Sequence, residues 1–167
     1  LNLRELHYAA PGTDLTVHLH EDHIWLTGAS KTPDGKDFIA NMPTEEVYTV
    51  PVKNGVNGTV RATKPLAYNG NVIDDFTLTF KDGKIIHATA QTGVEILKKM
   101  IDIDEGAAFL GEVALVPHDS PISNSGILFF NTLFDENASN HLAIGSSYPT
   151  CMKDGSILSD EEKEARG

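Results

Sequence analysis

Short β-type segments separated by turn dipeptides are the feature that most constrains the fold of this chain. The segments are short and rich in Val, Ile, Thr, Phe and Tyr, the residues that pleated strands favour; they span residues 15–20, 24–26, 47–50, 76–80 and 84–88. In the first half of the chain, five pairs of Asn or Asp followed by Gly are typical of tight turns; they are Asp34-Gly35, Asn54-Gly55, Asn57-Gly58, Asn69-Gly70 and Asp82-Gly83. The last pair predicts a hairpin that joins residues 76–80 to residues 84–88.

The second half of the chain adds helix and longer apolar runs. Residues 92–101 have apolar positions at helical spacing, and Gly106 is a plausible stop soon after them. Residues 107–116 and 127–134 are apolar runs that we interpret as buried strands with polar residues at their ends. Ser159 and Glu162 have the spacing of a capping box and predict a helix start. The pattern indicates an α+β fold of mostly antiparallel strands with a few helices, in a single domain.

Composition restricts the partners of the chain. Thirteen basic and 24 acidic residues among 167 give a net charge of −11, which repels nucleic acids and anionic lipid surfaces and favours cations. The single cysteine excludes an internal disulfide and is typical of the cytoplasm. No apolar run approaches the roughly 20 residues of a membrane helix. The first residues resemble neither a secretory leader nor a Met start, which suggests a processed or cut end.

Three segments contain carboxylates or imidazole in otherwise apolar surroundings. Glu45 and Glu46 enter a strand side by side, and since neighbouring strand residues face opposite sides, only one of them points inward. Glu112 is the single acid within residues 107–116, and His141 ends a polar cluster that precedes another apolar run. Solvated surface and ordinary capped turns explain each segment taken alone. Together, carboxylates and one imidazole form the ligand set of a divalent metal ion.

A second group of histidines offers an alternative metal site. His18 and His20 share one face of a predicted strand and His23 follows it, but no third element supplies a recognisable partner. Cys151 has no partner for a nucleophilic role. Phosphate loops, the Gly-x-Ser-x-Gly elbow and the His-Glu-x-x-His helix are all missing from the sequence, which argues against the enzyme classes that use them.

Long ordered blocks in the sequence resemble the M29 family of metalloaminopeptidases, the group of aminopeptidase T, aminopeptidase S and PepS. The blocks are residues 41–49 (NMPTEEVYT), 110–116 (LGEVALV) and 130–141 (FNTLFDENASNH), with weaker likeness at 10–16 and 73–76. The resemblance implies a two-metal exopeptidase that uses zinc or cobalt and an activated water to release N-terminal residues from peptides. Its metal ligands fall on Glu46, Glu112, His141 and Tyr148. Glu112 is expected to bridge the ions, and Tyr148 and Glu45 are candidate catalytic residues.

The resemblance also implies that this chain is partial. The family has a further His-x-Asp ligand pair downstream of Tyr148, which residues 149–167 lack, and an N-terminal α/β domain that this sequence does not contain. We therefore expect residues 1–167 to be part of the C-terminal catalytic domain, inactive by itself and taken from a homodimeric enzyme. The alternatives are a non-catalytic β-rich binding module and, more weakly, an acidic protein that stores metal ions.

Overall fold

The computed structural model describes residues 2–39, 42, 44–159 and 161–162. In the part of the chain that the structure describes, the twelve strands are β1 (Glu5–Ala10), β2 (Thr13–Leu19), β3 (Ala29–Lys31), β4 (Asp37–Ile39), β5 (Val47–Thr49), β6 (Pro51–Arg61), β7 (Leu66–Tyr68), β8 (Asn71–Ile73), β9 (Thr77–Lys81), β10 (Lys84–Thr89), β11 (Leu110–Leu115) and β12 (His141–Ile144). The α-helices named within the described residues are α1 (Val94–Ile101), α2 (Pro121–Ser125) and α3 (Thr132–Asp135). Short 3-10 turns span Glu136–Ala138, Pro149–Cys151 and Gly155–Ile157.

A five-stranded sheet forms the larger part of the fold, with its strands in the order β1-β2-β6-β9-β10. The predicted hairpin is confirmed, since β9 and β10 pair antiparallel around Asp82-Gly83. Both turn residues have positive φ, as a two-residue hairpin turn of this kind requires. All pairings between the described strands are antiparallel, which confirms the α+β interpretation.

The second sheet has three strands in the order β12-β11-β5, so β11 lies in the middle. One cluster of buried apolar residues joins it to the larger sheet. Leu15, Val17 and Val56 of the larger sheet, Leu97 of α1 and Val113 of β11 all belong to this cluster and are almost fully buried. Because β11 packs into the shared core, its position relative to the rest of the fold is fixed.

Two of the predicted turns are wrong. Asn54-Gly55 and Asn57-Gly58 lie inside the long strand β6 rather than between strands. The reason is close packing: a Cβ atom at Gly58 would lie 2.1 Å from the backbone oxygen of Asp14 on the neighbouring strand. Glycine serves here to admit a neighbouring backbone, and not to reverse the chain.

The predicted buried strand at residues 127–134 is also wrong. Ile127, Phe129 and Phe130 are exposed, and the segment ends in the helix α3. Gly126 ends α2 in the left-handed conformation, and Phe130 has a φ of +55°, so an extended strand cannot run through the segment. Residues 24–26 likewise form only an isolated bridge, at Leu26, instead of a strand.

The helix predicted at residues 92–101 is confirmed, although it starts at Val94 after a left-handed Gly93. The capping box is present as well: the Ser159 backbone donates to Glu162 at 2.8 Å, and the Glu162 backbone donates to the Ser159 hydroxyl at 3.3 Å. Asp160 and residues 163–167 lie outside the described residues, as do Asn41 and Pro43 of the first quoted block. None of the helices in the described ranges is long and apolar enough to cross a membrane.

Candidate metal centre

One face of the three-stranded sheet presents the predicted ligands. On the central strand β11, Ala114 pairs with Tyr48 of β5 on one side and with His141 of β12 on the other. Side chains alternate along a strand, so Glu112, two residues before Ala114, shares this face. Glu46 is two residues before Tyr48 at the entry to β5 and projects in the same direction. Sheet pairing therefore brings together three segments that are far apart in the sequence.

Glu46, Glu112 and His141 converge closely enough to share a metal ion. Their potential ligand atoms all lie within 4.8 Å of one another. The Nε2 atom of His141 is 3.0 Å from a carboxylate oxygen of Glu46 and 3.8 Å from one of Glu112. Each of the three side chains is less than 20% exposed, at 14%, 17% and 14% for Glu46, Glu112 and His141. Two carboxylates and one imidazole in a small, half-buried space suit a divalent ion.

Hydrogen bonding leaves the Nε2 atom of His141, which faces the two carboxylates, free to bind a metal ion. Its Nδ1 atom lies 3.1 Å from the carbonyl oxygen of Ser139, which only accepts, so Nδ1 carries the proton. The Nε2 atom is buried and has no aligned hydrogen-bond partner among the described residues, although it faces both carboxylates. A backbone carbonyl that orients the imidazole in this way is typical of metal-binding histidines.

Burial and mutual charge perturb the acidity of the cluster. The pKa of Glu112 is raised, mainly by burial and also by the negative charge of Glu46, against the opposing effect of His141. For His141, burial lowers the pKa, but the contact with Glu46, the hydrogen bond to Ser139 and the acidic surroundings outweigh it and raise the pKa. The two negatively charged carboxylates repel each other, and a cation between them relieves this repulsion.

Glu136 is a site residue that the sequence reasoning did not single out. It follows α3 directly, is half-buried, and is close enough to His141 and Glu46 for their charges to act on it; burial is the main cause of its raised pKa. In the sequence it lies within the polar segment 135–137, where nothing distinguishes an inward carboxylate from solvated ones. The helical turn of α3 decides which of these acids points to the cluster.

The remaining predicted site residues lie at or beyond the edge of the cluster. Glu45 is exposed, as expected for the neighbour of an inward Glu46, and its role as a base stays a prediction. Tyr148 is 60% exposed and its ring lies 6.1 Å from that of Tyr48. Tyr48, on the ligand-bearing face, has a raised pKa because of burial and the nearby charges of Cys151 and Glu112, among others.

The alternative histidine group does not form a three-ligand cluster. Among the residues that the structure describes, Glu46, Glu112 and His141 are the one group of His, Cys, Asp or Glu with this geometry. On the surface, the Nδ1 atom of His18 lies 3.5 Å from a carboxylate oxygen of Glu5. The Nδ1 atom of His23 lies 2.6 Å from the carbonyl oxygen of His20. Cys151 is buried, and burial raises the pKa of its thiol to about 11, which disfavours a thiolate nucleophile.

Comparison with known proteins matches the chain to one family. The sequence pattern of the thermophilic metalloprotease (M29) family matches residues 1–167, the whole chain. The chain belongs to this family. Family membership accounts for the half-buried carboxylates and imidazole, because metalloproteases depend on bound metal.

Several curated proteins of known name are similar to this chain. It is 57% identical over 162 residues to aminopeptidase AmpS of Bacillus subtilis, covering 97% of this chain and 40% of that protein. It is 57% identical to aminopeptidase 2 of Geobacillus stearothermophilus, with 98% and 40% covered. It is 50% identical to aminopeptidase T of Thermus aquaticus, with 86% and 35% covered.

A solved structure has the same fold. Wild-type AmpT from Thermus thermophilus superimposes with a TM-score of 0.89 at 44% identity, over 98% of this chain and 40% of that one. The chain thus spans about two fifths of the length of the relatives that it matches.

Proposed function

We propose that this chain contributes the metal-binding centre of an aminopeptidase that releases N-terminal residues from peptides. The observation that supports the proposal most directly is the convergence of Glu46, Glu112 and His141 within 4.8 Å on one sheet face. The names of the similar proteins agree, since they are aminopeptidases. Peptides with a free N-terminus are the corresponding substrates.

The position of each residue suggests how the ions are held. Glu112 is on the central strand, between the strands of Glu46 and His141, and is therefore the best placed of the three to bridge two ions. Glu46 and His141 would each hold one of the two ions. When bound, a zinc or cobalt ion polarises a peptide carbonyl and acidifies a water molecule. Tyr148 has an exposed phenol ring next to that of Tyr48, from which it can complete the site or donate to substrate.

Glu136 extends the set of acidic groups on the same side of the site. It is half-buried, and its carboxylate has no hydrogen-bond or ion-pair partner among the described residues. We infer that it either binds the second ion directly or holds a proton beside it. Both roles require that an acid be kept at this position, so Glu136→Gln is expected to weaken binding of the second ion more than that of the first.

The ligand residues within 1–167 are enough for partial occupancy of the site by metal ions but not for full peptidase activity. We propose that the downstream His-x-Asp ligands of the family complete the site, and that this chain is part of a C-terminal catalytic domain of a cytoplasmic homodimer. A site with fewer ligands binds metal more weakly because the same groups lose their water for fewer bonds. We therefore expect binding of metal by the chain but little turnover of peptides.

Calorimetric titration of zinc and cobalt into the chain tests this proposal. We expect Glu112→Gln and His141→Ala to weaken binding by about 10- to 100-fold or to abolish it, as loss of a ligand or its support does. Glu105→Gln and His87→Ala, which change exposed residues of the same types, are expected to leave binding unchanged. Binding that is equally unaffected by all four substitutions contradicts the proposed centre, and a complete lack of binding favours the non-catalytic module.

A further inference from the structure

Tyr148, a candidate catalytic residue, is attached to the fold by its backbone rather than by burial of its side chain. The residue is 60% exposed. Its φ of −87° and ψ of 113° are the extended values that a residue before proline favours, and Pro149 follows it. Its carbonyl oxygen accepts from the backbone N–H of Cys151 at 2.9 Å, which closes the short turn that follows. The backbone thus fixes where the side chain begins but not where the phenol points.

The turn after Tyr148 is anchored to β5 through residues 22–26. The backbone N–H of Ile24 donates to the carbonyl oxygen of Cys151 at 2.7 Å, and Leu26 exchanges two backbone hydrogen bonds with Tyr48, at 2.9 and 3.0 Å. A small apolar cluster joins these segments. Its buried members are Val50, Cys151 and Met152, and its partly buried members are Leu26, Tyr48 and Leu158. The backbone of Tyr148 is therefore held at a fixed place beside β5.

Tyr48 lies near both Tyr148 and the metal ligands. It is two residues after Glu46 and pairs with Ala114 of the central strand, so its side chain is on the ligand-bearing face. Its ring centroid is 6.1 Å from that of Tyr148, with 60° between the ring planes, within the roughly 4.5–7 Å of a favourable aromatic pair. Burial is the main cause of its raised pKa, and the charges of Glu112, Tyr148 and Glu46 contribute.

The two rings of this pair differ in how firmly the fold holds them. Tyr48 belongs to a paired strand and to the small apolar cluster, which restrict its side chain. A side chain that is mostly in solvent, like that of Tyr148, samples several rotamers unless a contact selects one of them. Among the described residues, the aromatic contact of Tyr148 is with Tyr48. This contact is therefore the feature that can select the orientation of the Tyr148 phenol.

We propose that Tyr48 is a positioning residue whose ring holds the ring of Tyr148 at the rim of the metal centre, with the phenol of Tyr148 beside a bound ion. Tyr48 acts through contact between the rings and not through its hydroxyl group. A phenylalanine at this position is therefore sufficient, and an aliphatic side chain is not. The proposal rests on the proposed aminopeptidase function and adds the residue on which the orientation of Tyr148 depends.

Nuclear magnetic resonance of the chain with isotope-labelled tyrosine rings, titrated with zinc, tests this contact. The chain has four tyrosines, so the ring signals can be assigned by single substitutions with phenylalanine. We expect zinc to shift the ring signals of Tyr148 in the wild-type chain. Tyr48→Leu is expected to reduce this shift at least about twofold, the scale set by the strength of one aromatic pair. Tyr48→Phe should preserve the shift, as should the matched control Tyr68→Leu in β7.

The outcomes separate this inference from the proposed function. The amide signals of Glu112 and His141 follow zinc binding itself. If zinc leaves them unchanged, the proposed metal centre is wrong and the inference fails with it. If they shift, but the Tyr148 ring does not respond or keeps its full response in Tyr48→Leu, only the positioning role is wrong.

Two further results would also overturn the positioning role. An equal loss in Tyr48→Phe and Tyr48→Leu would assign the effect to the hydroxyl group of Tyr48. Loss of the Glu112 and His141 shifts in Tyr48→Leu would mean that Tyr48 supports the three-stranded sheet as a whole and does not act through Tyr148.

Discussion

Glu112 places a negative charge where the metal-free fold does not favour one. It is 17% exposed, next to Glu46, and burial raises its pKa. The folded state therefore binds a proton at Glu112 more tightly than the unfolded state does, so its contribution to stability falls as pH rises from the unfolded pKa through the higher folded pKa. The negative charge of Glu112 favours metal binding, but without a metal ion it lowers the stability of the fold.

Glu112→Gln removes this charge at nearly constant shape. In the metal-free chain at pH 7 we expect the substitution to raise the free energy of unfolding by on the order of 1 kcal/mol, as other stabilising substitutions do. Near pH 4 the difference is expected to disappear, because Glu112 is then protonated in both states. Urea denaturation with a chelator present measures both values, with Glu105→Gln as the exposed control. A loss of stability at pH 7 contradicts the electrostatic argument.

Sequence reasoning at the residue scale succeeded where strand alternation decides orientation. Alternation predicts that only one of Glu45 and Glu46 points inward, and in the structure Glu46 is the inward residue while Glu45 is exposed. Glu136 and Phe130 were missed because neither residue belongs to a repeating pattern. Their orientations follow from a single turn of helix and from one left-handed residue, which depend on hydrogen bonds made by Asn131 and Asp135.

At the scale of elements, the irregular pairing of β11 with β12 positions Glu112. The register shifts between Leu110 and Glu112, and Gly111 sits in the shift. A Cβ atom at Gly111 would lie 2.4 Å from the backbone oxygens of both Gly145 and Ser146. The close approach of the two strands at this point requires glycine.

Gly111→Ala is accordingly expected to separate the two strands and displace Glu112. The overpacking should lower the free energy of unfolding by about 1–3 kcal/mol, and zinc affinity should fall with it. Gly106→Ala is the matched control, since the nearest atom to its Cβ would be 3.4 Å away, on the side chain of Asp104. Chemical denaturation and zinc titration of both variants provide the test; equal behaviour would show that β11 and β12 tolerate the extra atom.

The elements that sequence predicted correctly are those whose determinants are local. The β9-β10 hairpin has its turn residues between two alternating strands, and α1 has its apolar face at regular spacing. By contrast, Asn57-Gly58 was taken as a turn because local chemistry cannot reveal that β2 and β9 pair with β6 on either side of Gly58. The apolar run 127–134 suggested burial, yet Ile127, Phe129 and Phe130 are exposed in the structure.

At the scale of the whole molecule, the metal centre depends on contacts between sheets that no single segment contains. Glu46, Glu112 and His141 meet because β5 and β12 flank β11, and β11 is anchored by Val113 in the core shared with the larger sheet. Sequence reasoning joined the three residues by their chemistry as a ligand set, and the ordered family blocks supported that grouping, but neither gave their arrangement in space. The strand order that brings them together is a tertiary property and emerges only from the fold.

This coupling between site and core predicts that metal binding stabilises the entire fold. A ligand that binds only the folded state stabilises it by about 2.7 kcal/mol at 100 times its Kd. For a domain of this size each kcal/mol raises the Tm by roughly 2–4 °C, so zinc at that excess should raise the Tm by about 5–10 °C.

Differential scanning calorimetry with zinc, and then with a chelator added, measures this shift and its reversal. His141→Ala is expected to keep the metal-free Tm within a few degrees and to lose most of the zinc-dependent increase, whereas His87→Ala should keep that increase in full. A rise in Tm that persists in His141→Ala would place the bound zinc elsewhere on this acidic chain. A single transition that moves as a whole with zinc would show that the three-stranded sheet and the larger sheet unfold together, as the shared core around Val113 requires.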